Sequence, residues 1–350
     1  MPVRIVSFEL YRVYCVIGNL SKTLDASLGA GRTETGSCYF SLSVFPGDIF
    51  ILGMVAINKQ AIAIIGAGKV GSALALLLNK QGYDIVGIAI GKNPADKRLA
   101  DDLRVAVTRR PEEITVKADV VFITTPDRLI VPVTEEIRTK GGFREGHIVL
   151  HTSGSQPAED LRAAGEAGAF VASMHPLQSF ANVNMAIENL PGSYYALEGD
   201  ESALQTAERI VADLNGRCFA IDGRDKPLYH AAACIASNYL VSLIHLATGF
   251  YQRFGLSRQE AFKALLPLIN GTINNLAQLT PAEALTGPIA RGDSETVARH
   301  LAALAELGET ERELYRVMAR YTIMVALEKG SINREQASIL EDVCKGGLEK

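Results

Sequence analysis

Cysteine is scarce in this chain: Cys15, Cys38, Cys218, Cys234 and Cys344 are the only five in 350 residues. They are odd in number, scattered, and form no Cys-x-x-Cys pair, which argues against a disulfide framework and against a zinc site and reads them as reduced thiols. No metal is expected. An excess of one charge is also missing, since 35 Lys and Arg stand against 39 Asp and Glu for a net charge of −4. Nothing therefore draws the chain to nucleic acid or to an anionic membrane. No apolar run approaches the ~18 uninterrupted residues that cross a bilayer, and the N-terminus lacks the basic, apolar, small-residue order of a signal peptide. The expectation is a soluble cytoplasmic protein with no nucleic-acid or membrane partner. What is present is ample apolar material, 48% hydrophobic against 21% charged. That excludes disorder and collagen-like structure, and the length suits two domains.

Residues 1–58 stand apart as an N-terminal extension. Short mixed apolar stretches lead into a Gly/Ser/Thr-rich passage from Leu28 to Ser43 with no sustained period of 2 or 3.6, so no fold is expected there. Met54, just before the first strongly patterned segment, leaves two readings open: an over-called translation start, or an appendage. From Gln60 the pattern is regular. Ala61–Ile65 reads as a strand, Lys69–Gln81 as a helix and Asp84–Ile90 as the next strand, which is one βαβ unit. Strand-like runs recur at Arg104–Val107, Asp119–Thr124, His147–His151 and Ala169–Met174. Helical stretches at Arg128–Thr139 and Pro157–Ala164 lie between them, so residues 59–222 predict a doubly wound parallel sheet. Ser193–Leu197 and Arg217–Ile221, flanking a helix at Glu201–Leu214, extend it. After Asp222 strand signals stop, and long helices at Pro227–Phe254, Arg258–Gln278, Ser294–Leu307, Glu311–Glu328 and Asn333–Cys344 make residues 223–350 an all-helical domain. Its first helix is small and apolar around most of its circumference, which predicts burial between neighbours and a homodimer formed through this domain.

Gly66-Ala67-Gly68-Lys69-Val70-Gly71 is a G-x-G-x-x-G run set directly between a strand and a helix. In that place the first glycine permits the tight turn, the second lets backbone approach a pyrophosphate, and the third lets helix and strand pack closely. Dinucleotide binding is the expectation; a ligand-free tight turn is the alternative. About 20 positions beyond the glycines, an NAD-binding fold usually carries an acidic residue for the ribose hydroxyls. Here that place is Gly91-Lys92-Asn93, with no carboxylate between Asp84 and Asp96. Lys92 and Lys97 could face a 2′-phosphate and therefore point to NADP, with Asn93 a further candidate cofactor contact, unless these lysines are ordinary surface charges.

Ligands of open α/β sheets bind outside the carboxyl ends of the strands. Those ends are Thr124-Thr125-Pro126-Asp127, His151-Thr152-Ser153-Gly154-Ser155 and His175-Pro176-Leu177-Gln178-Ser179-Phe180. Thr124, Thr125, Pro126, Asp127 and Ser153 are candidate cofactor contacts, although Asp127 could simply cap a helix. His151 and Ser155 are candidate substrate ligands, although His151, like His175, could instead be a structural histidine satisfied within the fold. The helical domain opens with Lys226-Pro227-Leu228-Tyr229-His230, and His230, Cys234 and Asn238 repeat every four residues on one helix face, which a ligand-facing stripe explains and hydrogen bonds to an adjoining helix would explain as well. Reduction of a carbonyl or imine needs a proton donor beside the substrate heteroatom, and Lys226 and His230 can both supply that proton. His175 would orient the substrate, Asn238 would hydrogen-bond it, and Arg291 would clamp a carboxylate, while Asp293 caps the helix that follows.

The glycine loop, His-Thr-Ser-Gly-Ser at 151–155, His-Pro-Leu-Gln-Ser-Phe at 175–180, Tyr-His-Ala-Ala-Ala at 229–233, Ala-Ser-Asn-Tyr-Leu at 236–240 and Thr-Gly-Pro-Ile-Ala-Arg-Gly-Asp at 286–293 resemble one family. It is the Rossmann-like proteins that carry the domain of unknown function 2520, and the resemblance runs from Lys59 to Leu327. It implies a Rossmann NADP-binding domain followed by a helical domain like the C-terminal half of 6-phosphogluconate dehydrogenase, and an NADP-linked oxidoreductase. In the related β-hydroxyacid dehydrogenases a lysine, and an asparagine one turn later, act on the substrate. Lys226 matches the lysine, but His230 stands where the asparagine would be. A ketopantoate-type 2-oxo acid is the specific substrate this kinship suggests. A deazaflavin-linked NADP oxidoreductase and a non-catalytic NADP(H) sensor remain the alternatives.

Overall fold

The computed structural model describes residues 59–91, 99 and 102–346, together with the backbone of five strands between residues 4 and 55. Those five are β1 (Arg4–Glu9), β2 (Arg12–Val16), β3 (Ser27–Arg32), β4 (Cys38–Phe45) and β5 (Asp48–Val55). The first two pair antiparallel, and the other three form an antiparallel sheet in the order β3-β4-β5. The sequence pattern assigned no fold to this stretch. In β4 the apolar Phe40, Leu42 and Val44 alternate with Ser41 and Ser43, a period of 2 that lasts only one strand and so never becomes a sustained pattern.

Eight further strands follow: β6 (Ala61–Ile65), β7 (Asp84–Ala89), β8 (Val107–Thr108), β9 (Val120–Ile123), β10 (Ile148–His151), β11 (Phe170–Pro176), β12 (Tyr194–Gly199) and β13 (Arg217–Ala220). They make one sheet in the order β13-β12-β11-β10-β9-β6-β7-β8. Every neighbouring pair is parallel except β11 and β12. The strand β8 falls short of the expected Arg104–Val107 because Arg104 takes a left-handed φ of 53°, which no strand can continue.

Alternation of side chains across the sheet makes it doubly wound. Ile62, Ile64, Val120, Phe122, Ile148 and Leu150 enter one core with residues of the helices Lys69–Lys80 and Glu201–Asp213. Ala63, Ile65, Val121, Ile123 and Val149, their immediate neighbours, enter a second core with Ile130 and Ile137 of the helix Ile130–Thr139. Strands buried on both faces read as continuous apolar runs, which is why they were legible in the sequence. The parallel strands β6, β9, β10 and β11 all end at one edge, where the glycine loop and both histidine motifs therefore stand.

The chain divides into two compact units, Met1–Ala231 and Ala232–Lys350. The division falls inside the helical stretch rather than at Asp222. The second unit is helical, with Leu240–Tyr251, Arg258–Leu276, Ser294–Ala305, Glu309–Lys329 and Arg334–Lys345 as its longer helices. Capping boxes at Ser257/Glu260 and Asn333/Gln336 start two of them. Asp293 caps a third by accepting the backbone N–H of Thr296. Val297, Leu301, Ala319, Ile323, Leu340 and Val343 form this unit's core.

The expected burial of the first long helix is not found. Leu228 is 76% exposed, Ile235 62% and Val241 67%. By length and composition the stretch Gly223–Phe254 could cross a membrane: it has 32 residues, its most apolar window has a mean hydropathy of 1.4, and 6% of that window is buried. No uninterrupted apolar run marks it in the sequence because Ser237, Asn238, Ser242 and His245 break the run. Residues Ile235–Tyr239 wind as a π-turn. That wider turn interrupts the expected four-residue repeat of His230, Cys234 and Asn238.

Candidate active site

The glycine loop is built as its sequence requires. Gly66 has φ +110°, and a Cβ there would meet the Thr124 backbone at 2.9 Å. At Gly71 a Cβ would lie 2.1 Å from the Gly66 carbonyl oxygen and 2.3 Å from Thr124 Oγ1, so helix and strand touch only because that side chain is absent. The Thr124 hydroxyl donates to the Gly66 carbonyl oxygen at 2.6 Å and braces the turn. Gly68 differs from both. Its φ is −75°, open to any residue, and a Cβ there meets nothing within 4 Å. The protein itself therefore does not need glycine at Gly68, whereas a pyrophosphate lying on the backbone would. Gly68 and Lys69 are exposed, and no side chain caps the helix they begin, which leaves its first N–H groups and positive dipole end for an anion.

Thr125 and Asp127 continue this edge from β9. Thr125 Oγ1 is buried without a hydrogen-bond partner, an orphan beside the loop that a bound nucleotide could satisfy. Asp127 makes no capping bond; its carboxylate accepts the Ser155 hydroxyl at 2.9 Å. Pro126 between them is exposed. These residues and the open place at Gly68 fit a dinucleotide. Lys92 and Lys97, which carry the expectation of NADP over NAD, lie outside the described residues, as does Asn93.

The strand ends of β10 and β11 separate into two tiers. The lower tier is buried and self-satisfied. His151 is fully buried; its Nδ1 accepts the Ser153 backbone N–H at 3.1 Å, and its Nε2 donates to the Pro157 carbonyl at 3.0 Å. Burial, with the Lys226 charge adding, holds this imidazole neutral by lowering its pKa to about 4. His151 is thus a structural histidine rather than the substrate ligand its position suggested. Ser153 is committed as well, since its hydroxyl accepts the backbone N–H groups of Ser155 at 3.2 Å and Gln156 at 3.1 Å. Both of its lone pairs are spent on turning the loop, which leaves its O–H as the one group it can offer a cofactor.

Lys226 belongs to this tier too. It is fully buried, and its ammonium donates to the Ser153 carbonyl at 3.0 Å and to the Ser173 hydroxyl, with Glu198 Oε1 at 3.7 Å. Burial outweighs the pairing, lowering the Lys226 pKa to about 8 and raising that of Glu198. The expectation that Lys226 hands a proton to substrate does not fit this geometry, because its donors are spent on protein and solvent does not reach it.

The upper tier faces outward. His175 Nδ1 and the Tyr229 hydroxyl lie 2.6 Å apart, and His175 and His230 meet edge to face with ring centroids 5.9 Å apart. Both approach Gly154: a Cβ there would lie 2.5 Å from His230 Nδ1 and 2.8 Å from His175 Nε2. Burial, then the charges of Lys226 and His230, lowers the His175 pKa to about 4. Tyr229, Ser173 and Glu198 were not singled out from the sequence. Ser173 and Glu198 each interrupt an apolar strand, a signal that was available, while Tyr229 sits inside a motif read only for its histidine.

Asn238 and Arg291 are exposed and belong to the second unit, so the tiers above do not include them.

Two buried histidines and a half-buried one give a prediction about acid. His147, like His151, is fully buried and has its pKa lowered to about 4, chiefly by burial, and His175 shifts the same way. A folded pKa below the unfolded value means that the unfolded chain binds more protons between the two. Stability is therefore whole above pH ~6.5 and falls as pH drops toward 4. His147 and His151 alone make the loss on the order of 5 kcal/mol between pH 6.5 and 4.5. Urea midpoints at the two pH values read it; a flat profile would contradict the burial of these rings.

Residues 53–176 match a Rossmann-like domain, and residues 193–322 match a domain of unknown function (DUF2520). No curated protein matches the sequence. Among solved structures, the chain is similar to a Bacteroides fragilis protein provisionally named an NADP oxidoreductase (TM-score 0.64, 23% identity, 77% of this chain and 100% of that one). A Thermotoga maritima protein is similar over 82% of this chain and 99% of its own (TM-score 0.54, 24% identity). So is a Plasmodium falciparum pyrroline carboxylate reductase with NADP bound, over 81% and 100% (TM-score 0.51, 14% identity). At these identities the likeness is one of fold.

Proposed function

Because the chain belongs to the Rossmann-like proteins that carry a domain of unknown function (DUF2520), we propose that it is an NADP-dependent oxidoreductase reducing a small carbonyl or imine compound. The observation that carries the reading is Gly68, a glycine the fold does not need, at the mouth of a loop whose other two glycines it does need. Gly66 to Gly71 would hold the pyrophosphate, with Thr125 and Asp127 at the next strand end. Bound there, a reduced nicotinamide supplies a hydride. The preference for NADP rests on Lys92 and the missing carboxylate, and structural relatives named for NADP chemistry favour it. Within the first unit, His175 and His230 are the groups free to meet a substrate. Lys226 holds the loop beneath them. Free Cys218, Cys234 and Cys344 suit a reducing cytoplasm.

Turnover is the test. NADPH oxidation is expected with at least one member of a panel of small 2-oxo acids, ketones and cyclic imines, a ketopantoate-type acid being the first to try. His230→Gln is expected to slow that reaction by about 100-fold or more, the range of general acid catalysis, with NADPH binding kept. Equal rates in both proteins would remove His230 from the chemistry.

The exposed apolar helix surface of the second unit calls for cover. We assign it to a second copy of the chain rather than to a bilayer, because Ser237, Asn238, Ser242 and His245 would each bring a polar group into hydrocarbon. Light scattering on the full chain without detergent is expected to read a dimer, and Val241→Glu a monomer. Aggregates that only detergent disperses would point to the membrane instead.

A further inference from the structure

Gly154 is unlike the glycines that serve a turn. It has no positive φ, and what a side chain there would strike is neither backbone nor core but two imidazole nitrogens, His230 Nδ1 and His175 Nε2, at 2.5 and 2.8 Å. Neither nitrogen is spent on protein. His230 Nδ1 is buried without a partner, and the only hydrogen bond of the His175 ring, among the described residues, is through its other nitrogen. Two rings therefore bring unspent nitrogens to one point.

Tyr229 decides what His175 offers there. Burial pushes the phenol pKa up to about 12, so it keeps its proton, and its one partner among the described residues is His175 Nδ1 at 2.6 Å. If the phenol donates to Nδ1, the ring proton must sit on Nε2, facing the point above Gly154. The reverse assignment would leave the phenol proton without a protein acceptor.

We infer that the point above Gly154 seats one substrate oxygen, which accepts a hydrogen bond from His175 Nε2–H and exchanges a proton with His230 Nδ1, while Tyr229 acts as the positioning residue that fixes the His175 tautomer. The inference rests on the reductase reading and narrows its substrate class to a carbonyl and the secondary alcohol it becomes. A carbonyl oxygen only accepts, so it takes both N–H groups when His230 enters as the imidazolium. As the carbonyl carbon gains hydride from the nicotinamide nucleotide, the C=O pair moves to oxygen, the His230 Nδ1–H bond breaks and an O–H bond forms. Neutral His230 then accepts from the product hydroxyl through the lone pair on Nδ1. The seat suits both members of the couple, and a glycine beneath is what lets the two rings come this close.

The chain has six histidines, so the full-length protein labelled with ¹⁵N at histidine gives a readable set of ring signals. His175 is expected to be protonated on Nε2 alone, and Tyr229→Phe to convert it into a mixture of tautomers without moving His147, His245 or His300. High concentrations of 2-propanol, the smallest secondary alcohol, are expected to shift His175 Nε2 and His230 Nδ1 together. A wild-type His175 protonated on Nδ1, or an alcohol response that bypasses both rings, overturns the inference. NADPH binding measured on the same samples keeps the two readings apart. If it persists, only the oxygen seat is lost; if it is absent, the reductase reading fails beneath it.

Discussion

Replacing Lys226 with alanine is expected to cost about 3–5 kcal/mol of folding stability, the range for removing one partner of a buried ion pair. The side chain is fully buried and ties three strands to the start of a helix: the Ser153 carbonyl follows β10, Ser173 lies in β11 and Glu198 in β12. Its loss leaves the Glu198 carboxylate, 11% exposed, without its cation, and leaves the Ser153 carbonyl with the Ser173 hydroxyl, at 3.3 Å, in place of the ammonium. The Ala158 backbone N–H, 2.6 Å from Glu198, would be the one polar contact left to that carboxylate. Because burial already works against both charges, Lys226→Met combined with Glu198→Gln is expected to recover part of the loss. Urea unfolding of the single and double variants measures this. A single-variant cost below about 1 kcal/mol, the level of an exposed pair, would contradict the buried tier. An inactive Lys226→Ala protein would for this reason say nothing of proton transfer unless its fold were measured first.

The parts of this molecule that were legible in the sequence are those where one physical requirement acts on adjacent residues. β6, β9 and β10 are apolar on both faces, so Ile62 to Ile65, Val120 to Ile123 and Ile148 to Leu150 announced a buried parallel sheet, and the glycine loop announced the turn that follows the first of them. The polar strand ends were legible as a group, since topology alone puts them at one edge. Their roles were not. Whether His151 or His175 faces outward depends on Ser153 and Pro157 in one case and on Tyr229 in the other, and no local pattern encodes such partners. Lys226 was misread for the same reason, because its position at a helix start resembles that of a substrate lysine while its surroundings, Ser153, Ser173 and Glu198, come from the loop after β10 and from two other strands distant in the sequence. The exposed apolar helix was expected to be buried because composition reports that a surface needs cover, not which molecule covers it.

The central claim is that the loop from Gly66 to Gly71 holds a nicotinamide dinucleotide, and Gly68 allows it to be tested apart from the fold. A valine at Gly71 would collide with the Gly66 carbonyl and Thr124, so lost binding there would only report a damaged turn. At Gly68 the backbone is ordinary and the space beyond Cα is open, so Gly68→Val should leave the melting temperature unchanged while its side chain stands where the pyrophosphate would approach. The measurement is a fluorescence titration of the wild-type protein with NADPH and with NADH, repeated with NADPH on Gly68→Val. The account predicts saturable NADPH binding, weaker NADH binding, and a loss of about tenfold or more in the variant, a cost of roughly 1.4 kcal/mol upward. Wild-type protein that binds neither nucleotide, or a Gly68→Val protein that binds NADPH as tightly as wild type, would contradict it.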